Sequence, residues 1–142
     1  MDRNRLAAQL RLHEGVEHKL YECTAGYLTI GVGRNIEERG LSDDEIDYLL
    51  NNDVNIATDE LVATFDWYAD LDPIRQRVVV DMVFNLGMPR FKQFQNMISA
   101  IEAGDWPEAA AQMMDSRWAK QVGARAERLR DMMETGEDSS DF

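Results

Sequence analysis

Three residues near the N-terminus are of types that could carry acid–base chemistry: Glu14, Cys23 and Thr29. Glu14 falls at the predicted end of a helix, on the same stripe as Leu6 and Leu10, so its carboxyl should be partly removed from water. The negative end of the helix dipole also disfavours a carboxylate. Both effects favour the protonated acid, which could protonate the leaving oxygen of a sugar. On spacing alone, a surface glutamate without a role remains the alternative.

Thr29 and Cys23 lie in a predicted hairpin that follows this helix. Alternation over Tyr27–Val32 predicts a strand with apolar residues on one face and Thr29 on the polar face, away from the core. A hydroxyl there could hold a water molecule, although strands favour β-branched residues in any case. Cys23, the only cysteine, falls in the turn and is either a reactive thiol or an inert small side chain.

Other familiar kinds of site are missing from the sequence. His13 and His18 lack the partners and spacing of a zinc site, so they receive no role. There is no nucleophile elbow, phosphate-binding glycine loop or dinucleotide fingerprint. The sequence therefore predicts neither a metal nor a cofactor.

The elements that must position these residues follow from caps and periodicity. A first helix is predicted over Arg3–Glu14, with Asp2 as its cap and Gly15 just past its end. Lys19–Gly33 is predicted to form a β-hairpin that turns at Cys23–Gly26. The capping box Ser42–Glu45 then opens a helix of about 20 residues, long enough to cross a small domain.

The remainder of the chain predicts helices. Asp72 and Pro73 begin one whose run Val78–Phe84 is apolar nearly all round, as in a central buried helix. Further helices are predicted around residues 91–101, from residue 105 and over 125–133. The result is an α+β fold, mostly helical, in which a small N-terminal antiparallel sheet lobe is joined by the long helix to a helical lobe. We expect one domain over residues 1–133, with a cleft between its lobes, and an acidic, disordered tail over 134–142.

Composition limits the partners. The formal charge of the 142 residues is -12, which argues against binding to nucleic acid or to an anionic membrane surface. No apolar run is long enough to span a bilayer, and no signal peptide precedes the first helix. We therefore expect synthesis in a cytoplasm, without membrane insertion.

The motif and its surroundings resemble the phage-type lysozymes, the T-even-like muramidases of glycoside hydrolase family 24. The family signature is a glutamate, eight residues, an aspartate or cysteine, five residues and a threonine, here Glu14, Cys23 and Thr29. The text of residues 26–33 is similar to the family, and so are three later stretches at 82–87, 105–110 and 116–118. The likeness covers nearly the whole chain up to about Met133.

The resemblance implies a site and a reaction. It implies a phage endolysin, a muramidase that hydrolyses the β-1,4 bond between N-acetylmuramic acid and N-acetylglucosamine of peptidoglycan with inversion. Glu14 would be the acid, Cys23 and Thr29 would place the water, and Arg125 would orient Glu14. The positions expected to bind substrate or support the site are Tyr27, Arg34, Phe84 and Asn85. By analogy, the enzyme would act as a monomer in the host periplasm and would need a holin-type protein for its release.

One departure from the family leaves the mechanism open. Well-known members have a carboxylate where this chain has Cys23. The thiol could seat the water with Thr29, act as a thiolate base, or attack the sugar as a nucleophile; we favour the first, since an acidic chain offers little positive field to a thiolate. Two other functions also remain: a lytic transglycosylase, which needs one acid/base glutamate and no activated water, and an inactive homologue that binds glycan or protein.

Overall fold

The computed structural model of the chain describes residues 1–142. Contacts within the chain define two compact units, Met1–Leu49 and Leu50–Phe142. The first unit contains a three-stranded antiparallel sheet and the second is helical, which confirms the predicted α+β class. The single domain over residues 1–133, with its cleft, stays a prediction.

The first unit contains helix α1, the sheet, a short helix α2 and the beginning of helix α3. Their bounds are α1 Arg3–Glu14, β1 Glu17–Glu22, β2 Leu28–Gly31, β3 Arg34–Asn35, α2 Ile36–Arg39 and α3 Asp43–Thr64. Helix α1 has the predicted bounds because its caps work as expected. The Asp2 side chain accepts a hydrogen bond from the Arg5 amide at 3.0 Å, and Gly15 ends the helix with a φ of 78°.

The sheet has three antiparallel strands in the order β1-β2-β3, and two short connections join them. In the first, the Cys23 amide donates to the Tyr27 carbonyl at 2.9 Å, and Tyr21 lies opposite Thr29. This confirms the predicted hairpin and its turn at Cys23–Gly26. The second connection, through Val32 and Gly33, leads to β3, which at two residues is too short for alternation to predict.

Helix α3 starts at the predicted capping box. The Ser42 amide donates to Glu45 Oε1 at 2.8 Å, and the Glu45 amide donates to Ser42 Oγ at 3.3 Å. The helix is 22 residues long, close to the predicted length. Its buried residues, Ala57 and Leu61, lie in its second half. None of the helices is both long enough and apolar enough to cross a membrane.

The second unit is a set of helices packed around one core. After α3 come a 3₁₀ helix at Asp66–Asp70 and six α-helices: α4 Pro73–Leu86, α5 Met88–Phe91, α6 Gln95–Ala103, α7 Trp106–Met114, α8 Arg117–Val122 and α9 Ala124–Thr135. Helix α4 contributes Val78, Val79, Met82 and Val83 to the core, as expected of the central helix. At its end, however, Phe84 is 44% exposed.

A buried arginine joins α4 to the C-terminal end of α9. Arg75 Nε donates to the Met133 carbonyl at 2.6 Å, and Nη2 donates to the Glu134 carbonyl at 3.0 Å. Its Nη1 also bonds Asp72 at 3.0 Å, and the guanidinium lies 4.1 Å from the ring centroid of Trp106. Arg75 therefore satisfies carbonyls that the end of a helix leaves without partners.

The acidic tail makes definite contacts with helices α4 and α9 of its own unit. The Asp138 carboxylate bonds Arg77 at 2.9 Å, and Arg77 also lies 5.5 Å from the ring centroid of Phe142. Helix α9 extends to Thr135, two residues past the predicted boundary. Disorder of residues 134–142 stays a prediction from composition, but the charges of Arg77 and Arg128 give this segment partners that composition alone does not show.

Candidate active site

The Glu14 carboxylate stands at the end of α1, against the backbone of the turn between β2 and β3. A Cβ placed on Gly33 would lie 2.7 Å from Glu14 Oε2 and 3.0 Å from its Cδ. The predicted withdrawal of this carboxyl from water is wrong: Glu14 is exposed, because helix α1 buries none of its residues. The carboxyl is therefore open to a substrate and rests on the sheet, with no apolar pocket around it.

Thr29 and Cys23 meet in the first hairpin, as the spacing predicts. Thr29 Oγ1 donates to the Tyr27 carbonyl at 2.9 Å and is also within hydrogen-bonding reach of the Cys23 sulfur. A hydroxyl has one hydrogen, so it can donate either to that carbonyl or to the sulfur. The Thr29 hydroxyl can therefore switch its hydrogen between the backbone carbonyl and the thiol, and its oxygen can accept a hydrogen bond from a bound water.

The two faces of β2 are the reverse of the prediction. Thr29 is 3% exposed, whereas Leu28 is 41% exposed. Alternation shows which residues share a face of the strand, but it cannot say which face is covered when one side carries apolar residues and the other carries Tyr27 and Thr29. The buried hydroxyl is satisfied by its bond to the Tyr27 carbonyl, so its burial leaves no polar group without a partner.

Backbone hydrogen bonds tune the thiol. The bond from the backbone of Tyr27, followed by that of Ala25, lowers the pKa of Cys23 below its usual value, and a bond with the Thr29 side chain acts in the same direction. Partial burial opposes the effect. The acidic composition of the chain does not reveal these backbone amides, which stabilise negative charge as a cation would.

Arg34 belongs to a polar clamp between the sheet and helix α3. Its Nη1 bonds Glu45 Oε1 at 2.6 Å and the Gly40 carbonyl at 3.2 Å, and Nη2 lies 2.6 Å from Glu45 Oε2. Glu45 is also the acceptor for the Ser42 amide in the capping box. The predicted role of Arg34 in binding substrate or supporting the site stays a prediction, and the structure shows it in a two-pronged ion pair with Glu45.

The ion pair between Arg34 and Glu45 predicts that the stability of the first unit depends on pH. The hydrogen bond from Arg34, with that of the Ser42 backbone, lowers the pKa of Glu45 from 4.5 to about 2. Because the folded-state pKa is the lower one, the clamp stabilises the unit fully above pH 4.5 and loses its contribution as the pH falls toward 2. We expect the stability of the first unit to fall less with decreasing pH in Glu45→Gln than in the wild-type protein. Glu37→Gln, which changes an exposed carboxylate nearby, should show the same fall as the wild-type protein.

The measurement is urea unfolding followed by the amide NMR signals of β1 and β2 at several pH values between 2 and 6. Tryptophan fluorescence would not serve, because Trp67, Trp106 and Trp118 all lie in the second unit. Equal acid loss in the wild-type protein and in Glu45→Gln would show that the clamp is not its cause.

The other predicted site residues lie in the second unit. Phe84 and Arg125 line one cavity of about 660 Å³, together with Asp81. Asn85 is exposed, and its Oδ1 accepts a hydrogen bond from Trp118 Nε1 at 2.8 Å. The amide of Asn85 is thus oriented by a buried tryptophan, which supports the side chain in a single position.

Asp81 lies beside Arg125 in this cavity, a pairing that sequence reasoning missed. Its Oδ1 lies 2.7 Å from Arg125 Nη2 and 2.8 Å from Nε, so the two charges form a close pair. The signal was available: Asp81 is the one charged residue in the apolar run Val78–Phe84. The proposed role of Arg125 in orienting Glu14 stays a prediction, and Asp81 is the partner that fixes the guanidinium within its own unit.

Comparison with known proteins places this sequence in a family. The sequence model of the phage lysozyme family matches residues 11–133. The chain is 28% identical to "Probable T4-type lysozyme 1" of Dictyostelium discoideum, over 89% of this chain and 92% of that protein, and 26% identical to "Probable T4-type lysozyme 2" of the same organism, over 92% and 94%. It is also 29% identical to the "Pre-baseplate central spike protein Gp5" of Enterobacteria phage T4, over 92% of this chain and 28% of that longer protein. The chain thus belongs to the phage lysozyme family and is a glycoside hydrolase that degrades peptidoglycan.

Proposed function

We propose that the chain is a phage endolysin that hydrolyses the β-1,4 bond between N-acetylmuramic acid and N-acetylglucosamine with inversion. The observation that carries the proposal is the placement of Glu14: an accessible carboxyl group at a helix end, seated on the turn of the same sheet that holds Cys23 and Thr29. A carboxyl in this position can protonate the leaving oxygen of a glycan that reaches it.

The proposed mechanism divides the work between acid and water. Glu14 donates its proton to the glycosidic oxygen, while a water held by Thr29 and Cys23 attacks the anomeric carbon from the other face of the sugar. The water loses its proton to the surrounding solvent as the new bond forms, and Glu14 is later reprotonated from solvent. The buried hydroxyl of Thr29 is suited to this task because the Tyr27 carbonyl fixes its position.

The hydrogen bonds around Cys23 also support a second role for this residue, that of a thiolate base. The backbone bonds that lower the pKa of its thiol make a thiolate base easier to form than the sequence indicates. The two roles differ in what they require of the side chain. Water seating needs only a small hydrogen-bonding group, whereas a base needs a group that ionises near neutral pH.

Replacement of Cys23 separates these roles. If the thiol only seats water, we expect Cys23→Ser to keep kcat within about tenfold of the wild-type value, since a lost general base costs about 10²–10⁴-fold. Cys23→Ala, which removes the hydrogen-bonding group, serves as the matched control and should be less active than Cys23→Ser. Turnover of purified peptidoglycan measures both, and inactivation of Cys23→Ser as deep as that of Cys23→Ala would exclude water seating.

The products test the reaction itself. Peptidoglycan from a Gram-negative bacterium should yield muropeptides with reducing muramic acid ends, identified by mass spectrometry. Anhydro-muramic ends would assign the chain to the lytic transglycosylases. Binding of glycan fragments without any product would instead support an inactive homologue.

The same proposal includes partners and location. We expect a monomer that is made in the host cytoplasm and acts on the wall in the periplasm after a holin-type protein has opened the membrane. The charge of -12 supports neither nucleic acid nor an anionic membrane as a partner.

A further inference from the structure

The Glu14 carboxyl lies so close to Gly33 that a side chain at position 33 would force the carboxyl to move. A Cβ there would lie 2.7, 3.0 and 3.1 Å from Oε2, Cδ and Cγ of Glu14. Gly33 also has a φ of +68° at the second position of the turn between β2 and β3, where L-residues are strained. The backbone therefore favours glycine at this position, and any side chain there would force the Glu14 carboxyl group to move from its present place.

Gly31 provides a comparison within the same sheet. Its φ of +69° is nearly that of Gly33, yet a Cβ on Gly31 would meet nothing within 4 Å. The two glycines thus share the conformational requirement and differ in the contact with Glu14. This difference allows the contact to be tested apart from backbone strain.

The backbone under Glu14 is fixed on both sides. Before the turn, Ile30 lies opposite Arg34 in the antiparallel ladder of β2 and β3. After it, Arg34 is bound by both carboxylate oxygens of Glu45 and by the Gly40 carbonyl. A turn held in this way cannot readily move aside, so it limits where the carboxyl can lie.

We propose that Gly33 is a positioning residue for catalysis: its bare Cα is the seat that holds the carboxyl of Glu14 in the orientation needed for proton transfer. The proposal rests on the proposed role of Glu14 as the acid. An exposed glutamate at a helix end has several open side-chain conformations, and a seat on one side removes some of them before substrate arrives. A methyl group at position 33 would push the Glu14 carboxyl away from the turn until the two groups no longer overlap.

The test is a double-mutant cycle with a matched control. Gly33→Ala and Gly31→Ala are each made in the wild-type background and in Glu14→Ala, and the stability of the first unit is followed by the NMR signals of β1 and β2 in urea. Because the Glu14 carboxyl is the flexible end of an exposed side chain, we expect Gly33→Ala to raise the unfolding equilibrium constant only about twofold to threefold more than Gly31→Ala does, and Glu14→Ala to remove that excess. If Gly33→Ala alone does not fold, recovery of folding in Glu14→Ala/Gly33→Ala would also show that the Glu14 side chain causes the loss of stability.

Activity supplies the second measurement. Per folded molecule, we expect Gly33→Ala to lose about 10²-fold in kcat with KM nearly unchanged, because a small misplacement of a catalytic group has that effect. Gly31→Ala should keep a kcat within a few-fold of the wild-type value.

Three results would overturn the positioning role: equal kcat for the two variants, an unfolding excess that persists in Glu14→Ala, or failure of Glu14→Ala/Gly33→Ala to fold while Gly31→Ala folds. The stability cycle does not depend on catalysis. If Glu14→Gln proved fully active while the cycle showed coupling, the proposed function would fail although the contact with Gly33 is real.

Discussion

Glu14→Gln should reduce the turnover of peptidoglycan about 10³-fold, in the range that a lost general acid costs. Glutamine keeps the length and planarity of the side chain, and its amide can still rest against Gly33, so the fold of the first unit should be unchanged. What the variant lacks is the proton to donate. The measurement is kcat on purified peptidoglycan, with far-UV circular dichroism to confirm folding.

Glu17→Gln is the matched control for this variant. Glu17 is also exposed and lies three residues further along the chain, at the start of β1. It changes the net charge of the protein by the same amount without touching the proposed acid. A kcat of Glu14→Gln above a tenth of the wild-type value, or an equal loss in both variants, would contradict the role of Glu14.

Arg75→Met should destabilise the second unit by about 3 kcal/mol, as expected when charge-assisted hydrogen bonds to buried partners are lost. Methionine preserves most of the packing of the side-chain stem but leaves the carbonyls of Met133 and Glu134 without their donors. The free energy of unfolding is measured with urea and tryptophan fluorescence, which reports on this unit because all three tryptophans lie in it.

Arg77→Met provides the comparison on the same helix. The side chains of Arg77 and of its partner Asp138 are each about half exposed, so their ion pair is screened by water. We expect Arg77→Met to cause a small fraction of the change caused by Arg75→Met. Similar losses of stability from the two substitutions would show that Arg75 does not hold the end of α9 as described.

The fold could be predicted largely because its helix ends are encoded locally. Asp2, Ser42, Asp72 and Asp105 each cap a helix through a side chain that reaches an amide three residues on, and such contacts need no distant partner. The β-hairpin could be predicted for the same reason, since its turn residues lie next to each other in the sequence. Strand β3 has two residues, and helices α5 and α8 have four and six, which is less than two helical turns and too few for periodicity to reveal.

The site was predictable in its residue types and less so in its environment. The spacing of Glu14, Cys23 and Thr29, together with the family resemblance, identified the residues to consider. The pair of Arg125 with Asp81 joins residues that are 44 positions apart. The burial of Thr29 and the exposure of Glu14 depend on how the elements of the first unit pack together. One sequence without its relatives contains no direct record of such contacts.

The most direct test of the central claim is digestion of peptidoglycan in water enriched in oxygen-18, with the wild-type protein and Glu14→Gln side by side. If Glu14 protonates the leaving sugar while water attacks, each new muramic acid end from the wild-type digest will contain one oxygen-18 atom, and Glu14→Gln will release almost none of these products. Anhydro ends without the label, or labelled ends released equally by both proteins, would contradict the account.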